Sequence, residues 1–177
     1  MIKAWSYVEE YKELRKKILE SIDRTLKSGQ IFFGKELEKF EKTFIKQNNL
    51  KYGVAVGSGT EALYIALLGL RIGQGDEVIT ASNTAIATVS AIKSCGAKVR
   101  FIDIGYDYLI DADKIKKNIS KNTKAIIPVH LYGQACDMEK ICKIAKKYKL
   151  KIIEDCAQAQ GAKFKNKYVG SFGDAGC

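Results

Sequence analysis

Apolar side chains recur every three or four positions over the first fifty residues, from Val8 through Ile45. This spacing predicts two amphipathic helices, the first ending at Gly29. The loop between them contains Phe32 and Phe33, and an exposed apolar loop of this kind is typical of a segment that packs on the core, a substrate or a second subunit. The pattern therefore separates an N-terminal helical segment, residues 1–50, from the remainder, residues 51–177.

From residue 51 onward the period changes, and short apolar runs alternate with amphipathic stretches of about ten residues. The runs predict strands at Gly53–Val56, Glu77–Ala81, Lys98–Ile102, Lys124–Val129 and Lys151–Glu154. The amphipathic stretches predict helices at Thr60–Leu70, Thr84–Cys95, Asp111–Ile119 and Asp137–Tyr148, and Ala162–Val169 is typical of a small hairpin. Apolar strands that alternate with helices predict an α/β fold with a mostly parallel sheet flanked by helices.

Composition narrows the function classes. The net charge of +10 comes from lysines scattered along helix faces, which does not indicate a nucleic-acid site. No stretch is long and apolar enough to span a membrane, and the N-terminus lacks the apolar core of a signal peptide. The five cysteines form no C-x-x-C pair, so we expect reduced thiols, no metal site and a cytoplasmic location.

The segment Gly57-Ser58-Gly59-Thr60 lies between a predicted strand and a predicted helix. Free backbone N–H groups and the positive end of the helix dipole at such a junction favour a phosphate. Gly57, Gly59 and Ala62 fit the dinucleotide pattern G-x-G-x-x-G/A, but the next strand carries its acid, Glu77, at the wrong end for a ribose contact. A cofactor with a single phosphate, a nicotinamide dinucleotide and a purely structural turn all remain possible from these residues.

Polar residues follow the other predicted strands, where parallel sheets bind their ligands. Asp155 comes directly after a buried-looking strand, with Gln158 one predicted helical turn later. A carboxylate at that position could keep a pyridinium nitrogen protonated, and the amide could donate to a neighbouring ring oxygen, whereas the alternative is a simple helix cap. His130, the only histidine, is as well explained by a structural hydrogen bond as by an acid–base role.

At this point the motifs resemble a known family, the DegT/DnrJ/StrS sugar aminotransferases. The resemblance covers the chain from about Gly29 and is carried, in order, by Gly57–Leu63, Asn83–Thr88, Pro128–Gln134, Glu154–Ala159 and Gly170–Asp174. It implies the large domain of a fold-type-I aminotransferase, with pyridoxal 5′-phosphate as cofactor. It also implies transfer of an amino group, with glutamate as donor, to a keto sugar on a nucleotide. The sequences of Asn83–Thr88 and Glu154–Ala159 together are most similar to those of members that act at the 3-keto position of dTDP-linked deoxysugars.

By resemblance, the cofactor-binding residues are Gly59 and Thr60 for the phosphate, Ala85 beside the ring, Asp155 for the pyridine nitrogen and Gln158 near the ring oxygen. Relatives usually carry an aromatic residue at position 85, so stacking area is expected to be lost here. Gln160 stands where relatives often have histidine. Complete relatives are homodimers with active sites between subunits.

The family's Schiff-base lysine is expected just beyond Cys177, and no lysine within residues 1–177 matches its motif. Residues 51–177 are then a partial pyridoxal-phosphate-binding large domain, incomplete at the C-terminus and without the small domain, and we expect no transamination by this polypeptide alone. Two alternatives share the fold: a pyridoxal-phosphate-dependent sugar dehydratase, in which histidine replaces the lysine, and a non-catalytic binding or regulatory domain.

Overall fold

The computed structural model describes residues 6–177 of the chain. Its helices are α1 (Tyr7–Ser28), α2 (Lys35–Gln47), α3 (Gly59–Gly69), α4 (Ile86–Ser94), α5 (Ala112–Ile115) and α6 (Met138–Tyr148). Its strands are β1 (Glu77–Ala81), β2 (Lys98–Ile102), β3 (Thr123–Ile127), β4 (Lys151–Glu154), β5 (Lys163–Phe164), β6 (Lys167–Tyr168) and β7 (Ala175–Gly176). Short 3-10 turns follow α5 at Lys116–Asn118 and β3 at Leu131–Gly133.

The chain divides into two compact units. One holds the described residues up to Gln47 together with Tyr52–Ala55, and the other holds Asn48–Lys51 and Val56–Cys177. In the first unit the two predicted amphipathic helices are confirmed as α1 and α2, and Gly29 ends α1 in the left-handed conformation at φ 69°. An exposed ion pair joins Arg24 of α1 to Glu36 of α2 at 3.2 Å. Phe32 and Phe33, in the loop between them, are more than four-fifths exposed.

The second unit is built on a parallel five-stranded sheet in the order β2-β1-β3-β4-β7. Successive residues of its strands enter different cores, as the two-residue period of a strand requires. Val78, Ile127 and Ile153 pack in the core that includes residues of α3 and α4, whereas Ile79 and Ile126 pack in the core that includes residues of α5 and α6. The prediction of a parallel α/β sheet flanked by helices is therefore confirmed.

The predicted strands at Glu77–Ala81, Lys98–Ile102 and Lys151–Glu154 are confirmed with the same bounds. The fourth predicted strand, Lys124–Val129, is shorter than expected and ends at Ile127, because Pro128 has no N–H group for the ladder. The hairpin is also confirmed, as β5 paired antiparallel with β6. Asp111 and Asp137 cap α5 and α6 by accepting from the N–H groups of Asp113 and Lys140.

Two sequence-based predictions about local structure are wrong. Gly53–Val56 pairs with no strand in the described part of the chain: the N–H of Ala55 instead donates to the Glu41 carboxylate at 2.8 Å, and Val54 is 82% exposed. An apolar run becomes a strand only where a partner supplies the ladder hydrogen bonds. The residues after Asp155 form a turn and no helix, closed by the Ala159 N–H on the Cys156 carbonyl at 2.8 Å.

Two global features concern the class of protein. All five cysteines are free thiols, as expected from their spacing. Across residues 6–177, the longest and most apolar helices still fall short of what a membrane crossing requires.

Candidate cofactor-binding site

A cleft of about 240 Å³ lies in the second unit and collects residues from the N-terminal ends of α3 and α4 and from the segments after β3 and β4. Its lining includes all five residues predicted to bind the cofactor: Gly59, Thr60, Ala85, Asp155 and Gln158. Leu63, Val129 and Leu131 supply apolar lining. The chain thus brings these positions together at the edge of the sheet where ligands of α/β proteins bind.

The N-terminus of α3 is held open by a reciprocal cap. The Ser58 hydroxyl accepts from the Glu61 N–H at 3.2 Å, and the Glu61 carboxylate accepts from the Gly57 N–H at 2.8 Å. Within residues 6–177 no acceptor is found for the N–H groups of Gly59 and Thr60. These residues begin the helix, and the first N–H groups of an α-helix have no partner within the helix itself. A methyl group added at Gly59 would meet no atom of the described residues within 4 Å. This terminus therefore offers two donors, the positive end of the helix dipole and room for an anion.

Ala85 is the N-cap residue of α4 and is exposed. No aromatic side chain is among the described residues that line the cleft. The loss of a stacking ring, expected from the sequence, therefore has no local replacement in the described cleft.

The Asp155 carboxylate is 5% exposed and lies at the end of β4. One oxygen, Oδ1, accepts from the Ala157 N–H at 3.2 Å, and the other, Oδ2, accepts from the Thr88 hydroxyl at 2.8 Å. The backbone is fixed as well, because the Asp155 N–H donates to the Pro128 carbonyl and its carbonyl accepts from the His130 N–H. Asp155 does cap the turn that follows it, and each oxygen still has a lone pair for a ligand.

The side-chain amide of Gln158 is oriented by a hydrogen bond from the backbone of the turn that follows β3. Its Oε1 accepts from the Tyr132 N–H at 2.9 Å, which leaves the side-chain NH₂ group to donate elsewhere. Tyr132 itself sits at φ 57° within the 3-10 turn, an uncommon conformation for a residue that is not glycine. The strained turn after β3 thus supports the side chain that follows β4.

Behind the cleft, Glu154 is fully buried and its carboxylate accepts four hydrogen bonds. The donors are His130 Nε2 at 3.1 Å and the N–H groups of Gly170, Phe172 and Gly173 at 2.7 to 2.8 Å. We call this group the Glu154 clamp. It is saturated and ties the loop before β7 to the end of β4.

His130 belongs to the clamp and takes no part in lining the cleft. Its Nδ1 accepts from the Cys136 N–H at 3.0 Å, so the proton of the neutral ring lies on Nε2 and points at Glu154. The imidazole is fully buried. The structure therefore favours the structural interpretation of this histidine over an acid–base role.

One donor atom each from His130, Glu154 and Cys156 lies within 4.8 Å of the others, a spacing that could hold a metal ion. Hydrogen bonds already occupy both nitrogens of the ring and both oxygens of the carboxylate. Burial, reinforced by the neighbouring acids, raises the pKa of the Cys156 thiol above its usual range, so this sulfur stays protonated. We interpret the group as part of the hydrogen-bonded core.

Sequence reasoning missed two contributions to this site, namely the Thr88 hydroxyl on Asp155 and the Glu154 clamp. Thr88 and Asp155 are 67 residues apart, so no local pattern links them. A weak signal was available for the first, because Thr84 and Thr88 are spaced one helical turn apart on a stretch with apolar neighbours. For the Glu154 clamp the signal was a glutamate at the end of an apolar strand, since a carboxylate buried there needs hydrogen-bond donors around it.

Comparison with known proteins identifies the family. Residues 12–177 match the DegT/DnrJ/EryC1/StrS aminotransferase family. The chain is 48% identical over 162 residues to the dTDP-3-amino-3,6-dideoxy-alpha-D-galactopyranose transaminase of Aneurinibacillus thermoaerophilus, covering 91% of this chain and 45% of that protein. It is 47% identical over 156 residues to the GDP-perosamine synthase of Escherichia coli O157:H7, covering 88% of this chain and 42% of that protein. The chain thus spans less than half the length of these relatives.

Solved structures agree. DesV of S. venezuelae superposes with a TM-score of 0.92 at 39% identity, over 94% of this chain and 45% of that one. NtdA of Bacillus subtilis, solved with bound cofactor PMP, superposes with a TM-score of 0.85 at 40% identity, over 89% of this chain and 37% of that one. A Streptococcus pneumoniae protein in its PLP form superposes with a TM-score of 0.84 at 32% identity, over 89% of this chain and 44% of that one. The chain belongs to the DegT/DnrJ/EryC1/StrS aminotransferase family.

Proposed function

We propose that residues 56–177 bind pyridoxal 5′-phosphate in the cleft and that the protein transfers an amino group to a nucleotide-linked keto sugar. The observation that carries the proposal is the pairing of two opposite features on one cleft of about 240 Å³. The N–H groups of Gly59 and Thr60, in the first turn of α3, have no acceptor among residues 6–177, and a buried carboxylate, Asp155, lines the same cleft. A cofactor with an anionic phosphate and a basic ring nitrogen needs this combination.

Each described residue has a distinct task in this proposal. The N–H groups of Gly59 and Thr60 bind the phosphate, and Asp155 accepts a hydrogen bond from the protonated ring nitrogen. Gln158 donates its NH₂ group to the ring oxygen, since its carbonyl oxygen is already used by the Tyr132 N–H. When bound, the cofactor withdraws electrons from the carbon whose proton is moved, and a carboxylate that keeps the ring protonated strengthens that effect.

The names of the relatives indicate the class of sugar substrate. The two relatives named above act, by their names, on sugars attached to different nucleotides, dTDP and GDP. We infer a nucleotide-linked keto sugar as amino acceptor and glutamate as donor, with 3-keto dTDP-deoxysugars as the first compounds to test. We further infer that the complete protein acts as a homodimer.

Residues 1–177 alone are expected to bind the cofactor without turnover. No lysine is among the described residues that line the cleft, so this part of the chain offers no amine for covalent attachment or for moving the substrate proton. Cys177 donates its N–H to the Glu154 carbonyl and its own carbonyl accepts from the Cys156 N–H. The carbonyl of Cys177 therefore lies against Cys156, the residue that follows Asp155.

Cofactor binding is tested by titrating the chain with pyridoxamine 5′-phosphate and recording the cofactor's fluorescence. The amine form is the better probe because the aldehyde would react with the many surface lysines. Saturable binding that is lost in Asp155→Ala, and kept in the exposed control Asp103→Asn, is the expected result. Binding that Asp155→Ala leaves unchanged would show that the cofactor lies elsewhere.

Turnover is tested with the full-length product of the native gene. ¹⁵N-labelled glutamate is incubated with the protein and a panel of nucleotide-linked keto sugars, and the amino sugar is detected by mass spectrometry. Transfer of the label to a sugar nucleotide is expected. Loss of water from the sugar without label transfer would indicate the dehydratase instead.

A further inference from the structure

The Asp155 carboxylate is held by two hydrogen bonds that differ in kind. Oδ1 receives a backbone N–H from its own turn, at 3.2 Å from Ala157. Oδ2 receives a shorter side-chain bond, at 2.8 Å, from Thr88 on α4. The torsion that turns a carboxylate group is broad and nearly two-fold, so packing alone does not fix its plane. These two donors therefore set the direction in which the carboxylate faces the cleft.

The Thr88 hydroxyl has a defined polarity. The side chain is fully buried, and its single proton goes to Asp155, which as a carboxylate can only accept. Thr84 Oγ1 lies 2.8 Å from Thr88 Oγ1. Because the proton of Thr88 is already committed, Thr84 must be the donor in that contact. A directed chain results, from Thr84 through Thr88 to Asp155.

We propose that Thr88, held by Thr84, is a positioning residue that aims the Asp155 carboxylate at the ring nitrogen of the bound cofactor. This inference rests on the proposed function, since it assigns Asp155 to that nitrogen. Thr88 is not among the residues that line the cleft, so it acts through Asp155 alone. A hydrogen bond to a buried charge is worth more than one between neutral groups, so its removal should be measurable.

The test compares two ligands that differ at one atom: pyridoxamine 5′-phosphate and its 1-deaza analogue, in which a C–H group replaces the ring nitrogen. Binding to the chain is measured for the wild type, Thr88→Val and Thr88→Ser. Valine keeps the shape and removes the hydroxyl, whereas serine keeps the hydroxyl. We expect Thr88→Val to weaken pyridoxamine phosphate about tenfold. The affinity for the deaza analogue should stay unchanged, and Thr88→Ser should bind both ligands like the wild type.

The deaza ligand separates positioning from a merely structural role. Equal weakening of both ligands by Thr88→Val would overturn the inference, and so would unchanged binding of pyridoxamine phosphate. If Thr88→Val does not fold, as judged by circular dichroism, Thr84→Val decides: a selective loss of about threefold for pyridoxamine phosphate supports the inference, and no selectivity overturns it. If the wild type binds neither ligand, the proposed function fails and this inference with it.

Discussion

Position 85 is the place where a single residue most visibly limits the site. Ala85 borders the cleft with only a methyl group, and no described lining residue offers a ring. An aromatic side chain there would add stacking area against a flat ligand. The expected cost of alanine is in affinity, because the hydrogen-bonding residues of the cleft are in place.

We predict that Ala85→Phe strengthens binding of pyridoxamine phosphate by about threefold to tenfold, the range of an aromatic pair beyond simple burial. The measurement is a fluorescence titration of the chain. Ala85→Leu is the matched control, since it adds apolar volume without a ring. A leucine variant that gains as much as phenylalanine would show that burial, and not stacking, is what the site lacks.

Two glycines should respond differently to the same added methyl group. At Gly59 a Cβ would meet no atom of the part of the chain that the structure describes within 4 Å, whereas at Gly173 it would lie 2.5 Å from the carbonyl oxygen of Ile152. We predict that Gly59→Ala keeps the stability of the wild type and weakens cofactor binding, because the methyl group enters the space left for the phosphate. Gly173→Ala should lower the free energy of unfolding by about 2 kcal/mol, since a backbone atom must move.

Urea unfolding and cofactor titration on both variants check this pair. A Gly59→Ala chain that binds normally would place the phosphate away from the start of α3. A Gly173→Ala chain as stable as the wild type would show that β4 and the loop before β7 can separate easily.

Among the structural elements, β7 is a short strand that follows a loop bound by one buried carboxylate. The Glu154 clamp binds three N–H groups of the loop that leads into β7, and β7 itself pairs with β4 through only two residue pairs, Ile153 with Ala175 and Glu154 with Gly176. A two-residue strand has little pairing energy of its own. The carboxylate therefore helps to keep this edge strand in place, together with Asp174, whose side chain accepts from Lys151 and from the Ile152 N–H.

We predict that Glu154→Gln destabilises the chain by about 3 kcal/mol, because an amide NH₂ group must face donors that now lack an acceptor. The loss should be local first, so the amides of Gly170, Phe172 and Gly173 are expected to exchange hydrogen faster than those of β1. Hydrogen exchange followed by NMR provides the measurement. Glu139→Gln, at an exposed carboxylate on α6, is the control and should leave those amides protected. Uniform acceleration across the sheet would contradict a local role.

The elements also show which parts of the fold can be predicted from sequence. Apolar runs located Glu77–Ala81 and Lys151–Glu154 because those strands are buried along most of their length. The same reasoning failed at Gly53–Val56, where composition cannot say whether a partner strand exists. It missed β7 because Ala175 and Gly176 carry no apolar pattern and are held by residues more than twenty positions earlier.

The site divides in the same manner. Topology places the ends of parallel strands together, so residues after strands, such as Asp155, could be predicted to meet. The groups that orient them could not, because Thr88 and the Glu154 clamp depend on contacts across 16 to 67 residues. Such contacts exist only once the helices and strands have packed.

For the molecule as a whole, the dependence of stability on pH should report a third buried carboxylate, that of Glu77, at the opposite end of the sheet from Glu154 and Asp155. Burial alone would raise the pKa of Glu77, but hydrogen bonds from Arg100, Thr123 and Ser120 outweigh it and hold this pKa below its ordinary value. A lowered pKa in the folded state means that the contribution to stability is complete above about pH 4.5. It is lost as the pH falls through the folded-state value.

We predict that Glu77→Gln lowers the free energy of unfolding by about 1–3 kcal/mol at pH 7, because the neutral amide cannot form the ion pair with Arg100. The difference from the wild type should shrink as the pH falls below the ordinary range of a glutamate and the native carboxylate takes up a proton. Urea unfolding at several pH values checks this, with the exposed Glu10→Gln as control. A difference that stays constant with pH would assign the loss to packing instead of charge.

The Glu154 clamp also bears on how the chain acquires its structure during synthesis. The ribosome makes Glu154 before the loop whose N–H groups bind its carboxylate. A nascent chain that ends between Glu154 and Gly170 therefore contains an apolar strand whose carboxylate has only one of its four donors, His130. Burial of that strand is unfavourable until Gly173 has emerged. The β4 edge of the sheet should accordingly close late, after the β1 and β2 region, and the cleft beside Asp155 should be among the last parts of the unit to take its final shape.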